Sequence, residues 1–401
     1  MPDFLPFPAL RYASTTSGTD LSRVCAPPYD VIEPDQRSAL LAADPHNAVR
    51  LILPDSYRDA AEMLARWQSD GTLVADDEPT FSIYRMHFTD HGSPRTTTGV
   101  IGALALDADG VLPHERTLPK AKSDRLALLR ATRANLDPIW GLSLAAGLSG
   151  LVEPAGEPHA FGYDREGVRH ECWRISDPAH LDAIREAVSH AALVLADGHH
   201  RFETACSYRE ECPPDDTGAA AIMMFVVELT PEQLCVRAIH RMITELVSPR
   251  VRDALGSVFV VRDAGPNDAS GVAALESAML REHGLGLVDT EGLALLLPKP
   301  ELEQRMAELP ALLRDVDAAR FDAGVLPAIT GASLTYRDDA ATVAAEVSKG
   351  NAQAAVLLRP VDVDTIRAAA AARLRMPEKT TFFSPKPRTG MVFRSLDASD
   401  G

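Results

Sequence analysis

The residues from Asp197 to Arg201, Asp-Gly-His-His-Arg, bring a carboxylate, two imidazoles and a guanidinium onto five consecutive positions. An apolar run, Ala191 to Ala196, leads into them, and Phe202-Glu203-Thr204-Ala205 leads out. The pattern predicts a buried strand handing over to a helix, with Gly198 supplying a tight or close-approach backbone. The start of a helix favours an anion through its amides and its dipole, and His199, His200 and Arg201 add cationic donors on the same turn, so a phosphate is the natural guest. Each residue alone also has an ordinary reading: Asp197 as an N-cap, Gly198 as a turn residue, the other three as a solvated helix start. No cap or turn requires His-His-Arg as a set, which favours the phosphate. A zinc site is not expected, because adjacent histidines on a helix diverge by about 100° whereas metal pairs use i, i+4 spacing.

A second stretch, Leu112-Pro113-His114-Glu115-Arg116-Thr117-Leu118-Pro119-Lys120, precedes a basic helical segment from Ser123 to Thr132 that carries Arg125. Its charges read either as an ion-pair network or as chemistry. Phosphoryl transfer to an alcohol uses a carboxylate to orient or deprotonate the hydroxyl and cations to stabilise the phosphoryl oxygens. On that reading Glu115 is the carboxylate, with His114, Lys120 and Arg125 near the phosphates. In Cys25-Ala-Pro-Pro-Tyr-Asp-Val-Ile32 two prolines stiffen the chain and hold Tyr29 and Asp30 in fixed directions, either as a rigid structural loop or as a site loop. Met376 to Arg388 is basic and hydroxyl-rich in an acidic region. It is either a solvated C-terminal loop or a lid whose Lys379, Thr380 and Lys386 fold back over the phosphates.

The stretch LADGHHRFETA resembles the nucleotide-binding motif of the ParB and sulfiredoxin-like superfamily, and within it the free serine kinases, which carry an Asp-Gly-His type motif. VCAPPYDVI, NAVRLIL, PHERTLPKAKSDRL, ATRANLDPIWGL and MPEKTTFFSPK resemble a large bacterial family of conserved proteins of unknown function. The superfamily resemblance implies an α/β (α+β) fold, a ParB/sulfiredoxin-like nucleotide-binding core, with Gly198 to Arg201 on the phosphates. It also implies ATP or ADP as donor and the hydroxyl of free serine as acceptor. Catalytic roles are expected for Glu115, Asp197 and His200, the last also touching phosphate. Asp197 is expected to help hold Mg2+, and Tyr29, Asp30 and His114 to meet the substrate. A sulfiredoxin-like reductase would need a cysteine in the turn, but positions 199 and 200 are both His. A phosphatase or nuclease, or a nucleotide-binding protein without turnover, stays open as an alternative.

The chain has 401 residues, enough for two or three structural units. Residues 1–247 are expected to form the nucleotide-binding region with an N-terminal elaboration, and 248–401 an appended α/β domain of alanine-rich acidic helices and short strands. Lys plus Arg number 40 against 57 acidic residues, a net charge of −17, which argues against a nonspecific hold on nucleic acid and against a ParB-like role. Apolar runs such as Ala219 to Val227 fall short of a membrane span, and Met1-Pro2-Asp3-Phe4 lacks a signal pattern, so no membrane partner and a cytoplasmic location are expected. Five scattered cysteines without a CxxC pair fit reduced thiols. Among the elements, Asp177-Pro178 opens a helix by the cap-then-proline pattern, Ala60 to Gly71 is an amphipathic helix, and Val49 to Leu53 reads as a strand. Ala219 to Leu229 is an apolar strand placed beside the motif strand. His240-Arg241 is read either as near the site or, from its residue types, as a surface or capping pair.

Overall fold

A computed structural model describes residues 1–14, 18–107, 110–113, 122–245 and 251–397. They are mixed α/β and divide into two compact units. The first takes the described residues up to Cys235 together with the tail from Pro385 on; the second runs Val236–Ser384. The change of unit therefore falls at 235/236 and again at 384/385, where the sequence suggests a single change at 247/248.

The first unit is built on a mixed sheet. In spatial order its strands are Val111–Pro113, Leu193–Asp197, Ile139–Ser143, Ala221–Glu228, Ser93–Ala105, Phe81–Asp90, Arg169–Ile175 and Ala160–Tyr163. Phe4–Leu5 also pairs with Ser93–Ala105. The motif strand Leu193–Asp197 runs parallel to Val111–Pro113 and antiparallel to Ile139–Ser143. Ile139–Ser143 in turn lies parallel to Ala221–Glu228, so it separates two strands expected to be neighbours. The apolar run 193–196 is buried throughout. Ile184 and Val188 of the helix Pro178–Ser189, and Ala205 with Phe202 of the following helix, pack into the same core as Leu193, Leu195, Ile139 and Met224.

Local signals formed most of these elements. Asp177 accepts from His180 N and Pro178 occupies the first turn. Ser56 caps the helix Tyr57–Ser69, which buries Ala60, Leu64 and Trp67. Val49–Ile52 is a short helix instead of a strand. Asn47 turns the chain there: its side chain accepts from Val49 N (2.9 Å) and donates to the carbonyls of Arg23 and Cys25. Val49 and Ile52 are buried by packing, which overrides their preference for strands.

A smaller sheet orders Leu73–Ala75, Ala9–Tyr12, Phe393–Ser395 and Ala134–Asn135. The last strand of the chain thus lies inside the first unit. Arg394, fully buried, donates to Asn135 Oδ1 and to the carbonyls of Ala221 and Gly218. Residue 218 must be glycine, since a Cβ there would lie 1.8 Å from the Leu396 carbonyl oxygen.

The second unit is an antiparallel sheet of Phe259–Gly265, Gly292–Pro298, Leu285–Asp289, Ala354–Leu357, His240–Thr244 and Ser333–Arg337, with the helices Ala269–Glu282 and Ala340–Ser348 packed on it. His240 and Arg241 are both buried in this sheet, not a surface or capping pair. His240 Nδ1 accepts from Leu358 N at 3.2 Å, so the ring is held neutral. Burial, reinforced by the Arg241 charge, pushes its pKa down to about 4. A histidine depressed from about 6.5 on folding contributes stability that is complete above the unfolded value and is lost as pH falls toward the folded one. The wild type is therefore expected to lose about 2 kcal/mol more than His240→Asn between pH 7 and 5, because Asn keeps an acceptor without titrating. Urea unfolding at the two pH values checks this, and equal losses in both proteins would contradict it.

Candidate phosphate site

At the end of the motif strand the pairing slips between Leu195 and Asp197, a bulge that brings Asp197 opposite Trp140. Gly198 follows in the left-handed region, φ 86°, and acts as N-cap to the thirteen-residue helix His199–Glu211, whose first bond is Phe202 N to Gly198 O at 2.9 Å. A Cβ on Gly198 would stand 2.6 Å from Ile139 Cγ2 and 3.0 Å from Arg201 Nη2. Glycine is required here on both counts. On the first helical turn His199 and His200 are partly buried and Arg201 is largely buried.

The charged groups form an alternating chain. Lys386 Nζ donates to Asp197 Oδ1 at 2.5 Å, and Arg201 Nη2 donates to Asp197 Oδ2 at 3.1 Å. Arg201 Nη1 donates to Asp137 Oδ2 and, at 3.0 Å, to the Pro138 carbonyl. The Asp137, Arg201 and Lys386 side chains are each only 12% exposed and Asp197 is 21% exposed. Burial would raise the Asp197 carboxyl, but Lys386 and then Arg201 outweigh it and hold its pKa down to about 2. Burial raises Asp137, and the nearby charges of Asp30 and Asp197 add to the rise against the pull of Arg201. Two carboxylates on one guanidinium are thus pushed in opposite directions, one fixed as an anion and the other readier to take a proton. Burial would also depress the Arg201 guanidinium, but Asp137 and then Asp197 hold its pKa above the usual value.

Of the residues singled out from sequence, Asp197 to Arg201, Lys386, Tyr29, Asp30 and Arg125 gather here. Tyr29 opens the short 3-10 turn Tyr29–Val31, and the Arg125 guanidinium lies 4.2 Å from the centre of its ring. Burial raises the Tyr29 hydroxyl, while the charge of Arg201 lowers it and that of Asp30 raises it. Arg125 also donates to the Ile52 carbonyl and to Asp124. Lys379 belongs to the second unit, where it has a left-handed backbone, φ 57°, and Thr380 Oγ1 donates to the Pro377 carbonyl. His114, Glu115 and Lys120 lie outside the described residues. Asp137 escaped the sequence reading. Its only local signal is an Asp-Pro step before a buried strand, whereas the register that sets it against Arg201 is a long-range matter.

Among the described residues no group of three or more His, Cys, Asp or Glu side chains is placed to hold a metal. The five cysteines are all free thiols. No helix of the described residues is long and apolar enough to cross a membrane.

A family model described as "Protein of unknown function (DUF1015)" matches residues 4–319. No curated protein matches. Solved structures with partial likeness include a free serine kinase in complex with AMP, at 12% identity and TM-score 0.39, covering 71% of this chain and 86% of that one. A conserved hypothetical protein from Pyrococcus furiosus has 13% identity and TM-score 0.40, with 75% and 96% covered. SbnI with a C-terminal truncation, from Staphylococcus aureus, has 11% identity and TM-score 0.39, with 75% and 90% covered.

Gly198→Ala is expected to cost about 2 to 3 kcal/mol, combining a disfavoured φ with the clash against Ile139. Urea denaturation measures it; a cost below about 0.5 kcal/mol would show that the turn relaxes freely.

Proposed function

Since the chain belongs to the family described as Protein of unknown function (DUF1015), its activity has to be read from its own site, and we propose that it is a small-molecule kinase on a ParB/sulfiredoxin-like core. It transfers phosphate from ATP or ADP to a hydroxyl group, that of free serine being the first candidate. The observation that carries the reading is the convergence of two largely buried cations, Arg201 and Lys386, beside the start of a thirteen-residue helix entered through a left-handed glycine. Phosphoryl transfer needs mainly positioning and charge stabilisation, and such a turn supplies both.

Arg201, Lys386, His199 and His200 face the phosphates, with Arg125 and Lys120 as the further cations of the reading. Tyr29, Asp30 and His114 meet the acceptor, and Glu115 takes or orients its hydroxyl proton. A resident all-protein metal cage does not fit the described residues. A Mg2+ that arrives with the nucleotide does, because such an ion is held by one or two carboxylates and by phosphate oxygens. Asp197 is the carboxylate in reach, and the ion would supply charge neutralisation on the phosphates.

Incubation of the purified protein with ATP or ADP, Mg2+ and a pool of hydroxyl-bearing metabolites is expected to yield a phosphorylated product detectable by mass spectrometry, phosphoserine first. Arg201→Ala should weaken nucleotide binding by about one to two orders of magnitude in calorimetry. Glu115→Gln should leave that binding within about threefold while lowering turnover by about 10² to 10⁴. Phosphate release without transfer would favour a phosphatase, and nucleotide binding with no product from any alcohol a non-catalytic binder. Full turnover by Glu115→Gln would remove the base assignment and pass it to Asp30 or Asp197.

A further inference from the structure

Both cations that recommend the turn for a phosphate are already engaged, and by the same group. Asp197 receives Lys386 on Oδ1 at 2.5 Å and Arg201 on Oδ2 at 3.1 Å. One cation per oxygen is how two oxygens of a phosphate would be held. The nearby helix start favours whatever anion sits there. We propose that Asp197 is a built-in competitor: its carboxylate occupies the Lys386 and Arg201 pair, an incoming phosphate displaces it, and the displaced carboxylate then becomes available to a divalent cation carried by the nucleotide. The proposal rests on the kinase reading, since it needs a phosphate ligand at this turn.

The anchoring of the participants decides which of them moves. Arg201 is retained by its other nitrogen, through Asp137 and the Pro138 carbonyl, so only its Nη2 bond has to exchange. Lys386 stands on a tightly fastened tail. Arg388 N donates to the Tyr84 hydroxyl at 3.0 Å, and Thr389 exchanges two backbone bonds with Ala26 at 3.0 and 2.9 Å. Asp197, by contrast, has a short side chain with two torsions, at a bulged strand end beside a glycine. The cations are therefore the fixed frame, and the carboxylate is the part that turns away.

A purely structural ion pair and a competitor predict opposite signs. With AMP as the probe, EDTA present and no metal, Asp197→Asn is expected to bind about tenfold more tightly than wild type in calorimetry, because the internal anion is gone and both cations remain. If the carboxylate only holds the site together, the same substitution weakens AMP binding. In the second arm, Mn2+ alone is titrated and followed by electron paramagnetic resonance. Lys386→Met should bind Mn2+ at least about fivefold more tightly than wild type, since Asp197 is released on one oxygen, and the gain should vanish in the Asp197→Asn, Lys386→Met double variant. The AMP step on Asp197→Asn and the Mn2+ step on Lys386→Met use different single variants, so a folding defect in one leaves the other decisive. AMP binding that is unchanged or weaker in Asp197→Asn, or Mn2+ binding that does not rise in Lys386→Met, overturns the competitor role alone. Failure of AMP to bind to wild type and variant alike overturns the nucleotide reading, and this proposal with it.

Discussion

Arg201 is the group on which the rest of the site depends. Its guanidinium spans two strand ends, with Asp197 at the end of Leu193–Asp197 and Asp137 just before Ile139–Ser143. A guanidinium only 12% exposed is stable as a cation when its donors are matched, and here two carboxylates and one backbone carbonyl match them. The antiparallel register of the two strands sets that match. A slip of one residue would turn Asp197 to the other face of the sheet and leave the guanidinium with one partner fewer. The bulge between Leu195 and Asp197 belongs to the same device, since it re-aims the carboxylate at the point where the strand stops.

The second constraint is topological. The chain leaves the first unit after Cys235, folds the second from Val236 to Ser384, and returns with Pro385. The returning tail has two tasks in the first unit. It places Lys386 on Asp197, and it contributes the strand Phe393–Ser395 between Ala9–Tyr12 and Ala134–Asn135. Arg394 fastens that strand, because the carbonyls of Ala221 and Gly218 and the side-chain oxygen of Asn135 each lose a donor if it leaves, the last also accepting from Met223 N. The tail from Pro385 on is therefore part of the fold of the first unit, although its residue types look like those of a solvated loop. Local composition reports solubility well and long-range pairing hardly at all.

The same division separates what neighbouring residues dictate from what long-range pairing decides. The strand, glycine and helix at 191–205 were legible because each signal is local: an unbroken apolar run, a residue that tolerates positive φ, a helical segment after it. The cap and proline at Asp177-Pro178 belong to the same class. Val49–Ile52 misled because β-branched residues suit a strand, while the deciding contacts are hydrogen bonds from Asn47 to a segment more than twenty residues earlier. The order of strands misled because Ile139–Ser143 inserts between two apolar strands by pairing, which composition does not encode. Asp137 was missed for the same reason. His240 and Arg241 looked like surface residues by type, yet the histidine is buried with a backbone donor from Leu358 and the arginine between the rings of Phe321 and Tyr336. The proposed roles of His114, Glu115 and Lys120 rest on sequence alone, since these residues fall outside those described.

The charge of the chain gives these local facts their physical sense. At −17 overall, the protein repels anions at long range, so a phosphate at the proposed site would be held by short-range donors and not steered by the whole surface. Two largely buried cations in such a protein cannot stand unpaired, because the desolvation of each would exceed what the fold supplies. They need an anion when no ligand is present, and a carboxylate at the end of the motif strand is the nearest one the backbone can offer. On the proposed function, holding the cations ready for phosphate and keeping the ligand-free fold stable are then one requirement, met by the same residue. On the proposed competition, a carboxylate in that position also weakens the first phosphate contact, since part of the attraction is spent on displacing it.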